Sequence, residues 1–179
     1  MKRIDFIFLI LLVSFSNITA QSLPNGYKNI KLGMSLEETK SALEKNADFG
    51  YHGDRDVSLL PGENKILIET DSQRGYGSDF LGRCWFQFYN EKLYIITINI
   101  NPERMDYYSM FKNFSDKYGD PDQLDPSKSV WMNDNVTIML EKPLSVKYID
   151  NKTYEEIQKM STVEKSGEEF TREMFLEDF

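Results

Sequence analysis

Apolar and polar positions alternate most clearly over residues 80–101, FLGRCWFQFYNEKLYIITININ. This period of two, rich in aromatic and β-branched side chains, predicts two β-strands joined by a tight turn at residues 90–92. Strict alternation divides their side chains between two faces. One face would carry Phe80, Cys84, Phe86, Phe88, Tyr94, Ile96, Ile98 and Ile100, and the opposite face Leu81, Arg83, Trp85, Gln87, Tyr89, Leu93, Ile95, Thr97 and Asn99. Because both faces hold large apolar groups, we expect this hairpin at the centre of a sheet.

A second pattern, with apolar residues three and four positions apart, predicts two short helices. The first begins after Ser35, whose S-x-x-E capping box is completed by Glu38, and runs to about Asn46. The second follows the N-cap Asp106 and stops at Gly119. Its apolar face would consist of Tyr107, Met110, Phe111, Phe114 and Tyr118.

Shorter alternating stretches predict the remaining strands. They fall at Val57–Leu60, Lys65–Thr70, Ser129–Met132, Val136–Glu141 and Leu144–Asp150. In the last two, the inward side chains would be Val136, Ile138, Leu140, Leu144, Val146 and Tyr148. A helix followed by strands therefore occurs twice, and Trp85 and Trp131 each precede an Asn-containing turn, which suggests a degenerate internal repeat.

These elements predict an α+β fold: an antiparallel sheet with helices packed on one face, two degenerate helix-plus-three-strand repeats and a C-terminal helical tail. A single domain would span residues 21–150, with repeat halves at about 27–101 and 102–150. The charged tail, 151–179, is expected to be helical or partly disordered.

The first residues have the pattern of a secretory signal. Lys2 and Arg3 precede the apolar run FIFLILLVSF, and Ala20 offers a cleavage site, so residues 1–20 are predicted to be a signal peptide. An uncleaved N-terminal anchor is the alternative. The apolar run is too short for a membrane-spanning helix, so the mature chain is expected to have no stable membrane span and to be periplasmic or secreted.

Charge and cysteine content narrow the class of protein further. The net charge is −8, and removal of Lys2, Arg3 and Asp5 with the signal would change it to −9. An acidic chain argues against nucleic-acid binding, which requires a basic footprint. Cys84 is the only cysteine, so an intramolecular disulfide is excluded, and its position on an apolar strand predicts a buried and unreactive thiol.

The sequence offers little for catalysis. His52 is the only histidine, without the second ligand that a zinc site requires. The loop carboxylates Asp54, Asp56, Asp71 and Asp79 lack the spacing of a calcium loop. We therefore expect a protein that is not an enzyme, with no catalytic residue, no metal and no cofactor.

Two motifs carry a resemblance to a known family. Gly33-Met34-Ser35-Leu36-Glu37-Glu38-Thr39 is similar to the helix start of SmpA/OmlA-type domains, which are small lipoproteins of the bacterial envelope, and Tyr118-Gly119-Asp120-Pro121 is similar to their Gly-x-Pro helix exit. The tandem plan also resembles the β-lactamase-inhibitor-protein fold, which binds partners on its sheet. The resemblance implies this fold and an envelope location. The lipid-attachment cysteine and the inhibitor's paired cysteines are missing, so no functional residue is carried over.

Aromatic and apolar side chains opposite the helices suggest a surface that binds another envelope protein. The residues expected there are Trp85, Tyr89, Leu93, Ile95 and Trp131. Coverage of this face by the tail, through Tyr154, Ile157, Phe170 and Met174, is an equal alternative. A different hypothesis is a module for a small ligand or peptide in which residues 48–79, including the loop residues Arg74 and Tyr76, form a lid.

Overall fold

The computed structural model describes residues 22–62, 64–72 and 79–161, together with residue 176. The predicted signal peptide, the loop residues Arg74 and Tyr76, and Phe170 and Met174 of the tail lie outside the described residues. The predicted α+β class is confirmed, because three α-helices accompany an antiparallel sheet of eight strands within these described residues.

The first half contains a small hairpin, β1 (Gly26–Tyr27) with β2 (Ile30–Lys31), then helix α1 (Leu36–Glu44), two 3-10 turns (Ala47–Phe49 and Gly53–Asp56), and strands β3 (Val57–Leu59), β4 (Lys65–Asp71), β5 (Leu81–Tyr89) and β6 (Lys92–Ile100). The second half contains helix α2 (Tyr107–Tyr118) and strands β7 (Gln123–Leu124), β8 (Lys128–Met132), β9 (Val136–Glu141) and β10 (Ser145–Asp150). A third helix, α3, spans 151–161.

The large sheet has the strand order β3-β4-β5-β6-β10-β9-β8-β7. It consists of two four-stranded meanders whose last strands, β6 and β10, pair at the centre, with Ile98 opposite Val146 and Ile96 opposite Tyr148. Each half is a helix followed by a short strand of two or three residues at the sheet edge and then by three longer strands. The repeated helix-plus-strand plan predicted from the sequence is therefore present.

The correspondence drawn between the two tryptophans is wrong. Trp85 lies on β5, the third strand of its meander, whereas Trp131 lies on β8, the second strand of the other. Asn-containing turns close β-hairpins in general, so a tryptophan before such a turn does not identify equivalent hairpins.

The helix ends follow the predicted local chemistry. Ser35 Oγ accepts a hydrogen bond from the Glu38 backbone N–H at 3.2 Å, and the Ser35 N–H donates to Glu38 Oε2 at 2.8 Å. At the start of α2, the Ser109 N–H donates to Asp106 Oδ1 at 2.9 Å. Gly119 ends α2 with a φ of +87°, a conformation that favours glycine.

Helices α1 and α2 pack on one face of the large sheet, which we call the inner face. Leu43 of α1 and Phe114 of α2 belong to the same buried cluster as Phe86 and Ile98 of the central strands. Every inward side chain predicted on β9, on β10 and in the turn between them is buried in this cluster, namely Val136, Ile138, Leu140, Leu144, Val146 and Tyr148.

Two β-bulges break the alternation of the central hairpin. On β5, Leu81 pairs with Ile100 but Cys84 pairs with Ile98, which leaves one extra residue on β5. On β6, an extra residue separates Ile95 from Leu93 in the pairing with β5. Leu81 and Leu93 therefore join the buried core, and Phe80 is 50% exposed, contrary to the predicted faces. A bulge shifts all later side chains by one position, and period-two alternation cannot reveal it.

Candidate functional site

The outer face of the sheet, opposite α1 and α2, carries the side chains that alternate with those of the buried core. Trp85 lies near its middle, directly across from Glu69 on β4 and Thr97 on β6. Trp85, Leu67 of β4 and Ile95 of β6 are all half-buried. The sequence assigned Trp85 and Ile95 to this face but overlooked Leu67, although the alternation within Lys65–Asp71 (KILIETD) carries that signal.

Helix α3 covers one end of the outer face. The Tyr89 hydroxyl donates to Met160 Sδ at 3.3 Å, and Tyr89 packs edge-on against Tyr94, with ring centroids 6.5 Å apart. Ile157 and Met160 line a small cleft together with Tyr89. Tyr89 is therefore buried under the first part of the tail. At this end of the outer face, the tail covers the sheet, which is the second of the two alternatives.

The start of α3 is fixed to the turn between β8 and β9. Thr137 Oγ1 donates to Asn151 Oδ1 at 2.7 Å, and Asn151 Nδ2 donates to the Asn133 carbonyl at 2.8 Å. The Thr153 N–H donates to Asp150 Oδ1 at 2.9 Å, which caps the first turn of the helix. These bonds attach the start of α3 to the turn between β8 and β9.

Two of the residues predicted to bind a partner belong to the core instead. Leu93 is 1% exposed because the bulge on β6 turns it inward. Trp131 is also 1% exposed, packs 5.5 Å from Phe114 between ring centroids, and donates its indole N–H to the Gly119 carbonyl at 2.9 Å. A partner at the surface cannot reach either side chain, so the candidate surface contracts to Trp85, Ile95 and their neighbours.

A polar cleft of about 470 Å³ lies at the β3–β4 edge of the outer face. His52 and Asp56 border it on one side, and Glu69 and Asp71 on the other. The His52 backbone N–H donates to Asp56 Oδ2 at 2.7 Å, and His52 Nδ1 lies 3.5 Å from the same oxygen. Carboxylates near Trp85 are paired too, since Arg83 Nη1 lies 3.3 Å from Glu69 Oε1. These contacts orient side chains at a polar surface.

Cys84 and His52 do not form a nucleophile–base pair. Cys84 is fully buried on the inner face, and burial raises the pKa of its thiol to about 12, which suppresses the reactive thiolate. His52 lies on the other side of the sheet, beside Glu69 and Asp71. Within the described part of the chain, no three His, Cys, Asp or Glu side chains converge as metal ligands would.

Two of the loop carboxylates, Asp54 and Asp79, form ion pairs with basic side chains. Asp54 Oδ1 lies 2.9 Å from Lys40 Nζ, and Asp79 Oδ2 lies 3.1 Å from Arg104 Nη2. Both pairs are exposed at the carboxylate and are expected to contribute little to stability. Asp54 and Asp79 therefore form surface ion pairs with basic side chains.

The fold and this surface define an α+β domain with one large antiparallel sheet, a buried inner face and a partly covered outer face. The chain belongs to the TP0088 domain family, whose family model matches residues 25–160. That match includes both halves of the sheet and all of α3 except its last residue. No match was found among curated proteins or among solved structures. In the described residues, no helix combines the length and apolar character that crossing a membrane would require.

Proposed function

We propose that this domain is an exported, non-enzymatic protein-binding module of the bacterial cell envelope, and that it contacts another envelope protein through the outer face around Trp85. The observation that carries the proposal is the position of Trp85. This large aromatic side chain is half-buried on the outer face, on a nine-residue strand with hydrogen-bonded strands on both sides.

A tryptophan on such a rigid strand is well suited to anchor an interface. Pairing with β4 and β6 already restricts its backbone, so binding a partner would cost little additional ordering. Tryptophan is among the residues that most often contribute about 2 kcal/mol or more to binding when they are fully desolvated. Leu67 and Ile95 would extend the apolar centre of the surface.

Charged side chains supply the polar rim that interfaces usually have. Arg83 pairs with Glu69 at 3.3 Å, and Lys147 Nζ lies 2.5 Å from Glu141 Oε2 on the outer side of β10 and β9. Because these charges are already paired, they would set the orientation and association rate of a partner more than its affinity.

Export is supported by the sequence of residues 1–20, with its basic start, apolar run and small residue before the cut. The family match begins at residue 25, after that segment. The hypothesis of residues 48–79 as a lid over a small ligand has weaker support, because residues 57–59 and 65–71 are hydrogen-bonded into the sheet as β3 and β4.

The test is site-specific photo-crosslinking in whole cells of the source bacterium. A benzoylphenylalanine in place of Trp85 or Leu67 would report on the outer face, and one in place of Tyr108 would serve as the control. Tyr108 is 71% exposed on α2, on the opposite side of the sheet.

We expect a discrete cross-linked product from both outer-face positions and none from Tyr108. Trp85→Ala should then abolish the product formed from position 67 while the circular-dichroism spectrum is retained. Equal cross-linking from Tyr108, or no product from either outer-face position, would contradict the proposal.

A further inference from the structure

An apolar cavity of about 330 Å³ lies on the inner side of the sheet, between α2 and the central strands. Its walls include Leu81, Ile100, Met105, Met110, Phe114 and Tyr148. The volume falls at the small end of the range of about 300–1,000 Å³ that is usual for small-molecule sites. Phe80, which is 50% exposed, also lines the cavity, so a ligand can enter it from the surface.

The chemistry of the walls favours an uncharged ligand. No Asp, Glu, Lys, Arg or His is among the described residues that line the cavity. A carboxylate or ammonium group placed inside would lose its hydration without gaining an ionic partner, which is strongly unfavourable. Met105 and Met110 add unbranched, flexible side chains that adapt to the shape of an apolar guest.

One wall residue offers a hydrogen bond. Tyr148 is only 6% exposed, and its hydroxyl forms no hydrogen bond with any described residue. Among the described residues, the side-chain oxygens that are fully enclosed and have no hydrogen-bond partner are Thr70 Oγ1 and Ser115 Oγ. The Tyr148 hydroxyl is not one of them, so it keeps some accessible surface. Burial raises the pKa of Tyr148, and the neighbouring Tyr118 and Tyr27 raise it further. The hydroxyl is therefore a neutral donor on the side of the cavity.

We propose that this cavity binds an unbranched alkyl or acyl chain that carries one uncharged hydrogen-bonding group, and that this group meets the Tyr148 hydroxyl. At about 30 Å³ per small non-hydrogen atom, the volume accommodates on the order of ten such atoms. The site lies on the opposite side of the sheet from Trp85, so it is independent of the proposed protein-binding surface.

The test measures, by calorimetry, how strongly the whole protein binds a series of straight-chain alcohols from 1-butanol to 1-dodecanol. Each added methylene should tighten binding about fourfold, which corresponds to about 0.8 kcal/mol. The gain should stop near ten carbons, where the cavity is full. Octane should bind about fivefold more weakly than 1-octanol, because it cannot bond to Tyr148.

Substitutions locate the site. Met110→Trp should fill the cavity and weaken 1-octanol binding at least tenfold without lowering the unfolding temperature, and Ile100→Phe provides a second filling variant. Met132→Trp changes a 40% exposed methionine on β8 and should leave binding unchanged. Tyr148→Phe should weaken 1-octanol about fivefold and leave octane unaffected.

Three results would overturn the proposal: no saturable binding of any alcohol, a gain per methylene that continues without a limit through 1-dodecanol, or 1-octanol binding that survives both filling variants. Equal 1-octanol affinity in Tyr148→Phe would overturn the role of the hydroxyl. Cross-linking from the outer face is a separate measurement, so a failure of the cavity proposal would not affect the protein-binding proposal.

Discussion

The two tryptophans, although both precede similar turns, should respond differently to the same substitution. Trp131→Phe removes the indole N–H that donates to the Gly119 carbonyl at 2.9 Å and part of a ring packed against Phe111 and Phe114. The lost hydrogen bond is worth about 1 kcal/mol. Deletion of buried ring atoms at a 1% exposed site adds about 1–2 kcal/mol through transfer and cavity terms. We therefore expect a loss of about 2–3 kcal/mol in the free energy of unfolding.

Trp85→Phe is the matched control, because it makes the same chemical change on a half-buried outer position. Its expected cost is below about 1 kcal/mol, since part of the removed surface is already in contact with water. Equilibrium urea unfolding followed by far-ultraviolet circular dichroism measures both values. Each variant also keeps one tryptophan as a fluorescent reporter. Acrylamide should quench Trp85 in Trp131→Phe several-fold more strongly than Trp131 in Trp85→Phe.

Equal losses of stability in the two variants, or equal quenching of the two remaining indoles, would refute the assignment of Trp131 to the core and Trp85 to the surface. Either result would also remove the argument that Trp85 is an exposed anchor for an interface.

Three further outcomes follow from local contacts. Ser35→Ala should cost about 1 kcal/mol in urea unfolding, because it removes half of the capping box with Glu38. Asn151→Ala should release α3, which would appear as faster amide exchange over 151–161 with little change in global stability. Stability should fall as pH rises above about 8.5, where the thiol of Cys84 would ionise in the unfolded chain but not in the fold, and Cys84→Ala should reduce this slope by up to about 1.4 kcal/mol per pH unit.

The sequence predicted those parts of the fold in which local pattern and tertiary packing agree. The apolar face of α2 and the alternation of β9 and β10 run without interruption, so period alone identifies the side chains that form the core or pack against it. The capping box of α1 is likewise a local feature, because its bonds join residues three positions apart. Nothing from the rest of the chain is needed to specify it.

The errors lie where a long-range feature alters a local pattern. Leu81 and Leu93 point inward because β5 and β6 each contain a bulge, which depends on pairing between strands and leaves no mark in the alternation. Similarly, contact between Tyr89 and Met160 joins positions 71 residues apart. The sequence suggested that the tail could cover this face, but it could not show which part of the face is covered.

The dimensions of the sheet limit how much of the outer face α3 can cover. Eight strands at about 4.8 Å spacing give a width of about 34 Å, and α1 and α2 pack on the inner face. On the outer face, α3 spans 151–161, which corresponds to about 16 Å of helix with a diameter of about 10 Å. A helix of that size, tied by Asn151 at one end and reaching Tyr89 at the other, cannot also cover Trp85, Leu67 and the outer side of β9 and β10. α3 therefore covers the end of the outer face at Tyr89, and the proposed partner surface lies around Trp85.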